Sequence, residues 1–377
     1  MTMSDAVHPF RSQVPQTDLD DLRDRLARTR WPDELPGVGW DYGVPRDRLR
    51  QLVARWQDTY SWREHEEALN AVPQFTTVID GQKIHFLHVR SPHPDALPLL
   101  LTHGWPGSVL EFLDVIGPLT DPPAHGGDAA DAFHVVIPAI PGFGFSGPTA
   151  ATGWDVHRVA GLWTTLMARL GYDRYGVQGG DWGSIISRVV GAADSERVVG
   201  VHLNFLISVP RGTPVELSEQ DEARLATVGK YLAAPAGYMR QQSTRPQTLA
   251  YALTDSPVGQ LAWIAEKLQE WTDPAVTVDD DWLLTNVSLY WLTATAGSSA
   301  RIYYESAASR GKPVYCPVPM GVAVFPHELI LPVRGLAERE YDIVHWTEHD
   351  RGGHFAALEV PETFVADVRE FFAKVRR

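Results

Sequence analysis

The sequence predicts an α/β fold, in which a mostly parallel sheet carries helices on both faces. Three observations lead there. Between residues 74 and 210, short apolar runs bounded by Gly and Pro alternate with helical patterns, the arrangement that builds parallel sheets. From about 211 to 311 the alternation gives way to helix-like pieces rich in Trp and Tyr, and from 312 to 377 it resumes. The simplest reading is a helical block, 211–311, inserted between two parts of one sheet, 74–210 and 312–377. Residues 1–73 form a helical segment ahead of it.

In chain order, Thr17 is a suitable N-cap for a first helix, with Leu19, Leu22 and Leu26 on one face and Pro32 as a stop. A second helix starts near Pro45, where Leu49, Leu52, Val53, Trp56 and Tyr60 keep the spacing of a buried stripe. A third runs from Trp62 to Asn70 and ends before Pro73. Phe75, Thr77 and Ile79 then alternate, Asp80-Gly81 supplies a tight turn, and 83–89 resumes as an extended apolar run. That pattern predicts a β-hairpin. Strand-like runs at 97–101, 133–140 and 175–178 each lead into a Gly-rich loop, and a run at 198–205 follows a helix. The inserted block holds Trp263, Trp271, Trp282, Tyr290 and Trp291. Strand-like runs return at 314–324 and 341–346, and a final helix starts at about Pro361.

Composition narrows the function. The 377 residues are 44% hydrophobic and 21% charged, enough apolar material for a large core and unlike a disordered chain. Lys and Arg number 33 against 47 Asp and Glu, a net charge of −14 with no basic run. That argues against nucleic acid and anionic membranes as partners, because both attract positive charge. A single cysteine, Cys316, excludes an internal disulfide and a cysteine-based metal site. The first residues lack a signal-peptide pattern, and no apolar stretch approaches the roughly 20 residues that span a bilayer. A soluble, cytoplasmic protein is expected, with a homodimer left open.

The strongest chemical feature is Gly179-Gly180-Asp181-Trp182-Gly183, after the fifth strand-like run. A strand, a sharp turn with small residues two places either side of a central residue, and a helix make a nucleophile elbow. Here the central residue is Asp. A carboxylate is ionised at neutral pH and attacks without a base. It suits displacement at an sp³ carbon, since the resulting alkyl ester can be cleaved by water, whereas an alkylated serine would be a dead-end ether. The plainer alternative is an Asp that caps the following helix. His354, in Gly352-Gly353-His354-Phe355 after the last strand-like run, is placed to act as general base on water. It is one of 14 histidines, and what singles it out is the order nucleophile, acid, histidine found in α/β-hydrolases. Glu328, in Phe325-Pro326-His327-Glu328-Leu329, is the candidate acid that orients it, with Asp342 and Asp350 as rivals. His103-Gly104-Trp105-Pro106 follows a strand and is similar to the loop that supplies one oxyanion-hole N–H, the other coming from the residue after the nucleophile. The backbone N–H groups of Trp105 and Trp182 are the resulting candidates. A Gly-Pro turn beside a buried Trp would read the same way.

Together these features resemble the epoxide hydrolases of the α/β-hydrolase fold, in the branch of the microsomal and juvenile-hormone enzymes. The likeness covers nearly the whole chain. It rests on HGWPGS (103–108), PGFGFS (141–146), GGDWGS (179–184), SPVGQLAWIAEK (256–267), LLTNVSLYW (283–291), FPHEL (325–329) and RGGHFAALEVPE (351–362). The N-terminal segment, with Arg30-Trp31-Pro32, is similar to the meander of that branch. The resemblance implies an α/β-hydrolase fold with an inserted helical lid and an N-terminal meander. It makes Asp181 the nucleophile, His354 the base and Glu328 its acidic partner. It also implies two lid tyrosines that hydrogen-bond the epoxide oxygen: Tyr238 for the first, and Tyr303 for the second with Tyr304 as an alternative.

No counterpart of the membrane anchor of the mammalian microsomal enzymes is expected, and the N-terminal segment is expected to pack as a soluble brace on the hydrolase core and lid. The expected reaction turns a lipophilic, aryl-bearing epoxide and water into a vicinal diol, without metal or organic cofactor. Antibiotic biosynthesis, detoxification and turnover of aromatic compounds are the settings it suits. The rivals are a haloalkane or haloacid dehalogenase with the same Asp, and a non-catalytic protein that keeps the pocket for binding small molecules. A conventional esterase is disfavoured because Asp181 replaces Ser.

Overall fold

A computed structural model of the chain describes residues 6–211, 216–233, 237–308 and 314–376. Among them, nine strands form one sheet: β1 (His8–Phe10), β2 (Gln74–Ile79), β3 (Gln82–Val89), β4 (Leu97–Thr102), β5 (Phe133–Pro138), β6 (Tyr175–Gly179), β7 (Val198–Leu203), β8 (Met320–Val324) and β9 (Ile343–Glu348). Their spatial order is β1-β2-β3-β5-β4-β6-β7-β8-β9. From β5 to β9 along that order neighbours pair in parallel, while β1, β2 and β3 pair antiparallel and β3 meets β5 antiparallel. β4 lies between β5 and β6, so the chain leaves it to one side and returns on the other. The loops after β4 and β6 therefore open a crevice at a topological switch point, where ligands bind in sheets of this kind.

The hairpin forms as the sequence predicts, with Asp80 at φ 51° in its turn. Several bounds differ for physical reasons. β1 was not anticipated; it is three residues long and exists only by pairing with β2. The elbow strand is consequently sixth in the chain. Of the run expected at 314–324, only Met320–Val324 is a strand, because Pro317 and Pro319 lack the N–H a ladder needs. The first helix is Gln16–Ala27, entered from Pro15 at φ −56° rather than from a Thr17 cap. Tyr60 lies beyond the second helix, Arg46–Asp58, yet is buried with its hydroxyl 3.2 Å from Thr285 Oγ1. The expected lid boundary at 311/312 lies outside the described residues.

The final helix, Pro361–Val375, covers one face of the sheet with Phe371 and Phe372. Gly176 on β6, Gly200 on β7 and Gly321 on β8 make its groove; a Cβ at any of them would press into one of those two rings. The opposite surface carries the helices Val156–Arg169 and Asp181–Ala193.

The inserted lid helix Asp280–Leu292 has eight consecutive buried residues, Leu283 to Tyr290, so it is buried all round. Asn286, Ser288 and Tyr290 each find a partner. Asn286 Nδ2 donates to the Pro106 carbonyl (2.8 Å), Ser108 Oγ donates to Asn286 Oδ1 (2.8 Å), and Tyr290 OH donates to the Gly107 carbonyl (2.7 Å). On its other side, Trp56 Nε1 donates to Ser288 Oγ (3.0 Å), Arg55 forks onto Asp281 (2.6 and 2.7 Å), and Arg48 pairs with Asp280. The N-terminal segment thus braces the lid, while β1 ties it to the sheet. No described helix is long and apolar enough to cross a membrane.

Candidate active site

The elbow follows β6. Asp181 opens the helix Asp181–Ala193 at φ 48°, a left-handed conformation unusual for a residue with a side chain. Gly179 and Gly183 make the turn possible. A Cβ on Gly179 would run into the Gly183 backbone, and one on Gly183 into the Thr102 carbonyl at the end of β4. The carboxylate sits at the start of a helix, where the unpaired N–H groups and the dipole favour negative charge.

The two Asp181 oxygens have different surroundings. Oδ1 accepts a hydrogen bond from the Trp105 N–H at 2.8 Å, and Gly104 has no room for a Cβ because Asp181 occupies that space. Trp182 is the second residue of the helix, so its N–H lies in the first turn, where no carbonyl one turn earlier serves it. Oδ2 faces His354, whose Nε2 is 3.6 Å away.

His354 is buried on the loop after β9. Its Nδ1 lies 2.6 Å from Glu328 Oε1, which also accepts the Leu329 N–H at 2.7 Å. Asp342 and Asp350, the rivals of Glu328, are both exposed. The lid fixes the histidine loop: the His354 N–H donates to the Trp271 carbonyl (2.9 Å), and the Gly352 N–H donates to Asp273 Oδ2 (2.8 Å). Burial alone would lower the His354 pKa, but Glu328 and Asp181 on either side outweigh it and hold the imidazole well above its usual range.

Two lid tyrosines close the top. Tyr238 stacks on the Trp105 ring (centroids 5.0 Å, planes 11° apart), and Tyr303 stands edge-on to Trp182 (4.7 Å, 88°). The two phenol rings are 5.8 Å apart. Tyr238 OH is also 2.6 Å from Tyr231 OH. Burial pushes both phenols well above their usual pKa; Tyr303 and Tyr231 raise Tyr238 further, and Asp181 raises both. They remain protonated donors at neutral pH. Tyr304 is 54% exposed and lies outside the site. Trp271 and Phe205 complete an aromatic wall, each edge-on to His354.

All seven residues singled out in the sequence, Asp181, His354, Glu328, Tyr238, Tyr303, Trp105 and Trp182, therefore meet in one place. Two further polar residues reach it that sequence reasoning missed, Glu111 and Asn204, which line a small space with Asp181 and His354. Asn204 follows β7 and accepts a hydrogen bond from Gln178 (2.8 Å). Glu111 carried a signal: it is a lone carboxyl within the apolar run Val109-Leu110-Glu111-Phe112-Leu113, directly behind HGWPGS.

The chain matches two family profiles, "Epoxide hydrolase N terminus" over residues 7–112 and "alpha/beta hydrolase fold" over residues 98–236. It is 48% identical to a protein of Stigmatella aurantiaca provisionally named an epoxide hydrolase, over 98% of this chain and 86% of that protein. It is 35% identical to epoxide hydrolase 1 of Sus scrofa, over 97% of this chain and 88% of that one. Its fold superposes on the solved structure of Aspergillus niger epoxide hydrolase with a TM-score of 0.89 at 33% identity, covering 99% and 98% of the two chains.

Proposed function

The chain belongs to the epoxide hydrolase family of the α/β-hydrolase fold, and on that premise we propose that it hydrolyses a lipophilic, aryl-bearing epoxide to a vicinal diol through an ester on Asp181. The observation that carries this reading is the pairing of two buried phenols, Tyr238 and Tyr303, with the carboxylate of Asp181 at the elbow.

In the first step Asp181 Oδ2, the oxygen not held by the Trp105 N–H, attacks an epoxide carbon. The ring C–O bond breaks and a phenol proton passes to the departing oxygen, which would otherwise be a poor leaving group. In the second step water attacks the ester carbonyl carbon. Its proton goes to His354, oriented by Glu328, and negative charge collects on Oδ1, where the Trp105 N–H already points and the Trp182 N–H is available. The intermediate collapses, the histidine proton goes to the alkoxide, and the diol leaves. The proton lent by the phenol is recovered when Asp181 returns to its carboxylate. Splitting one hard displacement into two easier ones is the gain from covalent catalysis.

Esterification also tunes the base. The free enzyme keeps His354 between two carboxylates and therefore protonated. The ester removes the charge of Asp181, so the histidine pKa falls, the ring gives its proton to solvent and can act as a base, and it regains that proton from solvent once the Asp181 carboxylate reforms. The walls formed by Trp105, Trp182, Trp271, Tyr238 and Tyr303 favour a flat, apolar substituent on the substrate.

Intact-protein mass spectrometry of His354→Gln with aryl epoxides and alkyl halides tests the reading. A stable adduct of the full epoxide mass, absent in Asp181→Asn, is the expected result. An adduct formed only from halides, with the halogen lost, would reassign the chain to dehalogenation.

A further inference from the structure

Glu111 lies on the short turn Val109–Phe112, which follows HGWPGS, and its carboxyl points back under that loop. The side chain fills the space a Cβ on Gly107 would need, so Gly107 makes way for it. The residue is partly buried and lines a small space together with Asp181, His354 and Asn204. Phe112, Phe355 and Phe364 close the remaining sides. That space is small, of the order that a single water needs.

We propose that Glu111 positions the attacking water: its carboxyl closes the space between Asp181 and His354 and accepts a hydrogen bond from the water proton that His354 does not take. The inference rests on the ester reading of Asp181. The water oxygen bonds to the ester carbonyl carbon; one O–H bond breaks toward His354 Nε2, and the other stays intact and points at Glu111. With both hydrogens committed, a lone pair is aimed at the carbon, and a misplacement of about 1 Å is enough to cost on the order of 100-fold in rate.

The surroundings suit a neutral carboxyl in this role. Burial pushes Glu111 up to about 8, the pull of His354 opposes it, and Asp181 adds to it. Tyr290 faces it from the lid, and the Ser108 N–H hydrogen-bonds it. At neutral pH the group is mostly uncharged, so a third negative charge does not compete with the attack of Asp181 on the epoxide.

The test separates the two chemical steps by rapid mixing with styrene oxide, following adduct formation and decay by mass spectrometry. Glu111→Leu keeps the volume and loses the hydrogen bond. It is expected to form the adduct within a few-fold of the wild-type rate and to release it about 100-fold more slowly. Glu111→Gln, neutral and still an acceptor, is expected to restore release to within about ten-fold. Adduct formation itself reports that the leucine variant is folded. If His354→Gln accumulates the ester while Glu111→Leu does not, or if both steps slow together in Glu111→Leu, Glu111 is structural and the inference falls while the ester stands. If His354→Gln accumulates nothing either, the ester reading fails and takes this one with it.

Discussion

His354 Nε2 stands 3.6 Å from Asp181 Oδ2, beyond an ordinary hydrogen bond but close enough for the carboxylate to hold a proton on the ring. Together with Glu328 on the far side, this raises the histidine pKa despite complete burial. Asp181→Asn imitates the charge of the ester and is expected to lower the His354 titration midpoint relative to wild type. Imidazole NMR over a pH series measures it directly. A midpoint that stays put or rises would remove the electrostatic link between the two steps.

Glu328 holds Nδ1 at 2.6 Å, and without it the imidazolium formed during water attack loses its partner. Glu328→Gln should slow ester hydrolysis by about 10²- to 10⁴-fold while ester formation persists, so the adduct accumulates. Asp342→Asn and Asp350→Asn, at exposed positions, should match wild type in both steps. A strong defect in either exposed variant would transfer the orienting role.

The tyrosines are expected to act on the first step alone. Tyr238→Phe and Tyr303→Phe should each slow adduct formation by about 10²- to 10³-fold, the usual loss for one donor to a developing oxyanion. Tyr304→Phe, at a position 54% exposed, should leave the rate unchanged. Stopped-flow quenching of tryptophan fluorescence follows this step, since Trp105 and Trp182 touch the phenols. Equal effects of Tyr303 and Tyr304 would contradict the placement of the second donor.

Glycines near the elbow and on a surface helix should respond in opposite directions. Gly183→Ala puts a Cβ into the Thr102 carbonyl, a backbone atom that cannot move aside, and should abolish activity and lower stability. Gly161→Ala sits in the helix Val156–Arg169 with open space around it, so it should stabilise by about 0.5–1 kcal/mol through helix propensity. Urea midpoints distinguish the two.

Behind the site, the buried Asp367 carboxylate accepts from three imidazoles: His202 (2.8 Å), His345 (3.0 Å) and His349 (3.0 Å). Burial alone would raise its pKa, but these hydrogen bonds outweigh it and hold the group far below the usual carboxylate range. A carboxyl depressed in the folded state contributes stability that is complete above its unfolded value, about pH 4, and declines as pH falls below it. Asp367→Asn should therefore cost about 3 kcal/mol at pH 7 and progressively less in acid. Chemical denaturation at pH 7 and at pH 3 gives the comparison; an equal loss at both would exclude the charge as its source.

Local sequence determined much of this protein, because turn chemistry and periodicity act over a few residues. The hairpin at Asp80-Gly81, the glycines flanking Asp181 and the helix Trp62–Asn70 were all legible. So was the order Asp181, Glu328, His354, since chain order survives folding. The tertiary structure alone decided what depends on separated segments meeting. It buried Glu328 beside His354 while leaving Asp342 and Asp350 exposed, and it buried Tyr303 while leaving Tyr304 in solvent. It made a strand of His8–Phe10, which has nothing to pair with until β2 arrives. It turned Glu111 from an anomaly in an apolar run into a wall of the space beside Asp181 and His354. Burial and pKa are properties of assembled surroundings, and the atoms surrounding these groups come from loops tens to hundreds of residues apart.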